Sequence, residues 1–209
     1  MTHKTVKTYL IDCDLLKDEA RFSRYLATVS EARRNKTNRL KMPADKRLSL
    51  GAGILLKAAL KDFADLPETT NEHGKPYIAG CPWQCSISHS GHYAFLAVAE
   101  SAVGCDVQEM LTKDTHKIAG RFFTESENAL IDSAEMFYRL WCVKESYLKM
   151  CGTGMAKPLD SFEVQMRDGA PYIDDTCTVR EFPLADGYRF AVCVSGSAVF
   201  EETEIIKEL

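Results

Sequence analysis

The chain contains no apolar run near the roughly 18 residues that a membrane-spanning helix requires. Its opening residues, Met1-Thr2-His3-Lys4-Thr5, lack the apolar stretch of a secretory signal. The expectation is a cytoplasmic protein that does not cross a membrane. An excess of positive charge is missing too. Lys and Arg number 26 against 30 Asp and Glu, a net charge of −4, so nothing points to nucleic acid. Eight cysteines without an export signal exclude a disulfide framework as the first reading. What is there is an ordinary globular balance, 45% hydrophobic and 27% charged over 209 residues, enough for one large domain or two small ones.

Four metal-ligating residues lie close together: Cys81, Cys85, His89 and His92. A zinc site is a minor reading. The gap from Cys85 to His89 is much shorter than the loop between ligand pairs of a zinc finger. Gln84-Cys85-Ser86-Ile87-Ser88 also alternates like a strand, which puts neighbours on opposite faces.

Val6, Tyr9, Leu10 and Ile11 predict a first strand. Leu15 to Lys41 reads as helix and basic turn, Lys46 to Phe63 as an amphipathic helix, and Asn71 to Pro82 as loop. Tyr93 to Ala99 is an almost continuous apolar run, as in a strand covered on both faces. The second half echoes the first. Tyr93-Ala-Phe-Leu-Ala-Val-Ala returns as Tyr188-Arg-Phe-Ala-Val-Cys-Val, and Arg47-Leu48 returns as Arg139-Leu140, at nearly the same offset. Two related α+β halves with a site between them follow, residues 1–102 and 103–209. Thr124 and Glu127 have capping-box spacing, so Glu127 is read as structural. The acidic tail from Glu201 is expected to be peripheral.

Charge is uneven. From Arg21 to Arg47 nine basic residues face only Glu31 and Asp45, a local excess of seven positive charges. Such a run is a solvated face, or it meets a polyanionic ligand or an acidic partner.

Two segments carry chemistry. Trp141 to Lys149 reads as a helix stopped by Gly152, with Trp141, Glu145 and Lys149 on one face. Gly104-Cys105-Asp106-Val107-Gln108 reads as the end of a buried strand. A carboxylate from each suits a hard cation such as Mg²⁺, and adjacent lysines suit phosphate. Alone, a Lys-Glu-x-x-x-Lys run is more often a solvated helix face.

Five segments in order make the chain resemble the Sfp-type 4'-phosphopantetheinyl transferases: Gly74-Lys75-Pro76, Ser86-Ile87-Ser88-His89-Ser90, Gly104 to Gln108, Phe122-Phe123-Thr124-Glu125-Ser126-Glu127, and Trp141 to Lys149. The resemblance implies an α+β, pseudo-twofold pair of similar subdomains with the active site at their interface. It implies transfer of phosphopantetheine from coenzyme A to a serine of an acyl or peptidyl carrier protein, dependent on Mg²⁺. Asp106, Glu145 and Gln108 are the implied metal ligands, with Glu145 the general base and Lys149 at the leaving bisphosphate. Lys144 is assigned to the pyrophosphate. Lys75, Ser88 and His89 are assigned to coenzyme A, and Arg33, Lys36 and Arg39, with Arg47 less directly, to its 3'-phosphate. Gln108 departs from the family's Glu. Glu109 does not replace it, because successive strand residues face opposite ways. A coenzyme A-binding module of weakened activity is therefore the alternative. The two-in-one architecture suggests a monomer.

Overall fold

The computed structural model describes residues 4–63, 66–73, 75–111 and 115–207. The chain opens with β1 (Lys4–Asp12), a 3₁₀ turn (Cys13–Lys17), α1 (Glu19–Leu26), α2 (Glu31–Arg39) and α3 (Pro43–Leu60). A short hairpin follows, β2 (Glu68–Thr70) and β3 (Pro76–Ile78), then β4 (Gln84–Ser90), β5 (Tyr93–Ala99) and β6 (Val103–Glu109). The second half adds α4 (Thr115–Phe122), α5 (Glu125–Leu130), α6 (Ala134–Cys151), a hairpin of β7 (Gln165–Arg167) and β8 (Ala170–Tyr172), then β9 (Cys177–Glu181) and β10 (Tyr188–Ser195). Two short strands close it, β11 (Ala198–Phe200) and β12 (Glu204–Ile206).

The echo in the sequence is an echo in space. In one sheet β5 lies between β1 and β4 and α3 packs on it; in the other β10 lies between β6 and β9 and α6 packs on it. The apolar runs of β5 and β10 occupy these central places because both faces of each strand are covered. Phe95 and Phe190, each at most 1% exposed, meet edge to face between the sheets with ring centres 5.4 Å apart, a favoured aromatic geometry.

The two halves are interleaved rather than consecutive. Beyond residue 197 the chain returns to the first half, where β11 pairs with Lys4–Val6 and β12 with Tyr9–Ile11, both parallel to β1. The tail expected at the periphery thus completes the first sheet. The expected 71–82 loop contains β3, because Pro76–Ile78 pairs with Glu68–Thr70. The third helix starts at Pro43, earlier than the periodicity suggests, since proline is tolerated at the first helical position.

The serines of β4 stitch the halves together. Ser86 Oγ accepts from Cys105 N at 3.0 Å, Ser88 Oγ donates to Asp106 Oδ1 at 2.7 Å, and Ser90 Oγ accepts from Glu109 N at 3.0 Å. Three serines at period two on one strand face replace the backbone ladder between β4 and β6 with side-chain bonds. This junction floors the site.

Candidate active site

In β6, Val103, Cys105 and Val107 enter the core, while Gly104, Asp106 and Gln108 face α6. Gly104 is what lets α6 lie so close, since a Cβ there would run into Ser146 O and Met150 N. The Trp141-Glu145-Lys149 face of α6 then divides by depth. Trp141 joins an aromatic cluster with Phe137, Phe123 and Phe122, as core packing. Glu145 and Lys149 reach a cavity of about 250 Å³, lined also by His73, Lys75, Ser86 and Gly152.

Asp106 is the buried anion of the site, 1% exposed. Its Oδ1 accepts from Lys149 Nζ at 2.6 Å and from Ser88 Oγ, and its Oδ2 accepts from Gln108 Nε2 at 3.1 Å. Lys149 Nζ also donates to Ser88 Oγ at 2.9 Å. Burial pulls the Lys149 pKa down, but Asp106, Cys105 and Glu145 outweigh it and hold the ammonium above its ordinary value. The Glu145 carboxyl is raised, first by burial and then by the charge of Asp106, with Lys149 opposing. Glu145 is thus a carboxylate of raised basicity beside a persistent cation.

Two carboxylates and one amide form an all-oxygen donor set once the Gln108 amide is turned over, and such a set suits Mg²⁺. Burial is the larger cause of the raised Glu145 carboxyl, and a cation there would relieve the smaller one, the repulsion from Asp106. The residues therefore fit the ion. Glu109 looks the other way, towards Tyr188, as strand alternation requires. Among the described residues no three His, Cys, Asp or Glu side chains gather to hold a metal. The zinc reading gains no support, and His92 Nδ1 instead meets Asp14 Oδ2 at 3.0 Å.

The other expected residues separate. His89 is exposed on β4; its pKa is lowered by partial burial, then by Lys149 and Lys36. Lys36 and Arg39 are exposed on α2, and Lys36 lies within electrostatic reach of His89. Arg33 differs from expectation. It is 4% exposed and paired with Glu68 at 2.6 Å, because its position on α2 faces the β2–β3 hairpin. Arg47 lies elsewhere, lining a cavity with Leu16, Phe22 and Pro43. Ser88 is buried and spends its hydroxyl on Asp106 and Lys149, so it supports the carboxylate rather than facing open space. Gly74 lies outside the described residues.

Lys144 is the clearest correction. It is fully buried, on a different face of α6 from Glu145, and donates to Leu159 O and Phe162 O at 2.7 Å each and to Glu127 Oε1 at 2.6 Å. A turn of one residue rotates a helical side chain by about 100°, which sends Lys144 into the interior. Glu127, equally buried, accepts from Thr124 N at 2.9 Å and Val164 N at 2.7 Å, completing its capping box. Adjacency to Glu145 in sequence was the misleading signal; the informative one was the capping-box glutamate, which needs a cation once buried.

Sequence reasoning also passed over Asn71, whose Nδ2 donates to Gly152 O at 2.9 Å. Its signal is an Asx residue two positions before a turn. The stitching serines carry a plainer signal in their period-two spacing.

The family model for the 4'-phosphopantetheinyl transferase superfamily matches residues 102–193. A 4'-phosphopantetheinyl transferase of Bacillus subtilis is 31% identical over 208 residues, covering 91% of this chain and 92% of the relative. The 4'-phosphopantetheinyl transferase Sfp of Bacillus subtilis strain 168 is 30% identical with the same coverage. Among solved structures, the holo-[acyl-carrier-protein] synthase of Thermotoga maritima aligns with a TM-score of 0.41 at 24% identity, over 46% of this chain and 64% of that one.

Proposed function

The chain belongs to the 4'-phosphopantetheinyl transferase superfamily, and from that premise we propose that it moves the phosphopantetheine arm of coenzyme A onto a serine of an apo acyl or peptidyl carrier protein. Adenosine 3',5'-bisphosphate is the second product. The observation that carries this reading is that Glu145 and Lys149 of α6 line one cavity between the halves while the buried Asp106 of β6 pairs with Lys149 beneath it.

The reaction needs an aligned nucleophile, neutralised phosphate oxygens and a stabilised leaving group. Glu145, on the cavity wall beside Lys149, takes the proton of the carrier serine. The serine oxygen forms a bond to the phosphorus on the pantetheine side, and the bond from that phosphorus to the bridging oxygen breaks. Lys149 stays cationic and balances charge on the departing bisphosphate. Ser88 holds Asp106 and Lys149 in register. Asp106, Glu145 and Gln108 would hold Mg²⁺, which when bound supplies charge neutralisation at the pyrophosphate oxygens. His89, Lys36 and Arg39 meet the phosphates of coenzyme A. The aliphatic part of Lys75 lines the cavity wall.

The enzyme acts as a monomer in the cytoplasm. Eight free cysteines fit a reducing compartment, and among the described residues no helix is long and apolar enough to cross a membrane. Intact-mass measurement of an apo carrier incubated with enzyme, coenzyme A and Mg²⁺ tests the reading. One added phosphopantetheine per carrier is expected. Coenzyme A binding without transfer to any of several carriers would favour a binding module, for which Gln108 is the motive.

A further inference from the structure

We infer that Asn71 and Lys75 form a clasp between the two halves that positions the coenzyme A-binding wall against α6. The inference rests on the proposed use of the cavity. Asn71 is a double-sided hub. Its Oδ1 accepts from His73 N at 3.0 Å and Lys75 N at 2.8 Å, which shapes its own loop. Its Nδ2 donates to Gly152 O at 2.9 Å, eighty-one residues away in the other half. Lys75 adds the second tie, with Nζ donating to Val103 O at 3.0 Å and Met150 O at 3.4 Å.

Val103 O belongs to β6, whereas the other two acceptors, Met150 O and Gly152 O, share one physical reason. The last carbonyls of a helix have no partner within it and carry the negative end of its dipole. Met150 O and Gly152 O lie at the C-terminal end of α6, so an ammonium and an amide donor satisfy both needs. Burial lowers the Lys75 pKa, as expected of a cation seated on carbonyls instead of in water. Gly152 ends α6 with φ +71°, and a Cβ there would lie 3.2 Å from Asn71 Nδ2 and 3.4 Å from the Lys75 stem. Only glycine both turns the chain here and leaves room for the clasp.

The clasp has a functional consequence through what it holds. His73, Lys75 and Pro76 line the cavity from one half, and Glu145, Lys149, Gly152 and Gly154 from the other. Asn71 touches no cavity contents by this geometry; it is a positioning residue that sets the distance between the two walls.

Two substitutions separate the clasp from the loop's own turn. Asn71→Ala removes both functions. Asn71→Asp keeps an acceptor for His73 N and Lys75 N but replaces the donor to Gly152 O with a carboxylate oxygen. Both should raise KM for coenzyme A about tenfold, the scale of one lost hydrogen bond, while kcat stays within about threefold because Glu145 and Lys149 are untouched. Both should also speed amide exchange in residues 148–152, a readout independent of activity. If Asn71→Asp behaves like wild type in both measurements while Asn71→Ala does not, the residue serves only its own turn and the clasp is refuted. Unchanged exchange in both variants refutes it as well. Wild-type protein without transfer activity would overturn the functional reading, yet exchange would still decide the clasp.

Discussion

Replacing Lys144 with Met separates a buried support from a ligand contact. The ammonium and the Glu127 carboxylate are both fully buried and 2.6 Å apart. Burial lowers the Lys144 pKa and Glu127 opposes that fall, so the charged state rests on the pair. Lys144→Met leaves Glu127 in the interior with only Thr124 N and Val164 N as donors. Removing one partner of a buried pair costs about 3–5 kcal/mol, and three lost hydrogen bonds lie within that figure. For a chain of this size Tm falls by about 2–4 °C per kcal/mol, so thermal unfolding should begin roughly 6–20 °C lower. Adding Glu127→Gln should restore part of the loss, because Gln keeps an acceptor for Val164 N without the unpaired charge. Thermal and urea unfolding measure both variants, and calorimetry measures coenzyme A affinity in the folded fraction. A Lys144→Met protein of wild-type stability but much weakened coenzyme A binding would refute the reasoning and return Lys144 to the pyrophosphate.

Asp106→Asn and Glu145→Gln should each lower transfer by orders of magnitude while circular dichroism shows a folded protein. Gln108→Glu adds a carboxylate on the face of Asp106, so the Mg²⁺ concentration for half-maximal rate should fall in a titration; an unchanged requirement would remove Gln108 from the metal site. His89 has a pKa lowered by partial burial, then by Lys149 and Lys36. A bound phosphate favours its charged form and raises that pKa, so coenzyme A binding should take up a proton and tighten as pH falls through the histidine range. Calorimetry in buffers of different ionisation enthalpy measures the uptake, and His89→Gln should abolish it. Lys36→Ala with Arg39→Ala should weaken coenzyme A more than 3'-dephospho-coenzyme A. Arg33→Ala should instead lower Tm, since it strands the half-buried Glu68.

Local pattern made the two-part α+β architecture legible. The apolar runs at Tyr93 and Tyr188 became the central strands, and helical spacing from Trp141 placed Glu145 and Lys149 on the cavity. Strand alternation correctly separated Gln108 from Glu109. What stayed hidden depends on which face of an element the rest of the chain covers. Lys144 and Arg33 read as phosphate contacts, and only the packing of α5 and of the β2–β3 hairpin shows that each is neutralised by a distant glutamate. Likewise, nothing local in Val199 or Ile205 says that the chain's end returns to β1.

The most direct measurement is tandem mass spectrometry of an apo carrier protein after incubation with coenzyme A, Mg²⁺ and either wild-type enzyme or Glu145→Gln. The account predicts one phosphopantetheine on the carrier serine with wild type and almost none with the variant over the same time. Equal modification by both would contradict the assignment of Glu145, and a carrier left unmodified by wild type that still binds coenzyme A would contradict transfer itself.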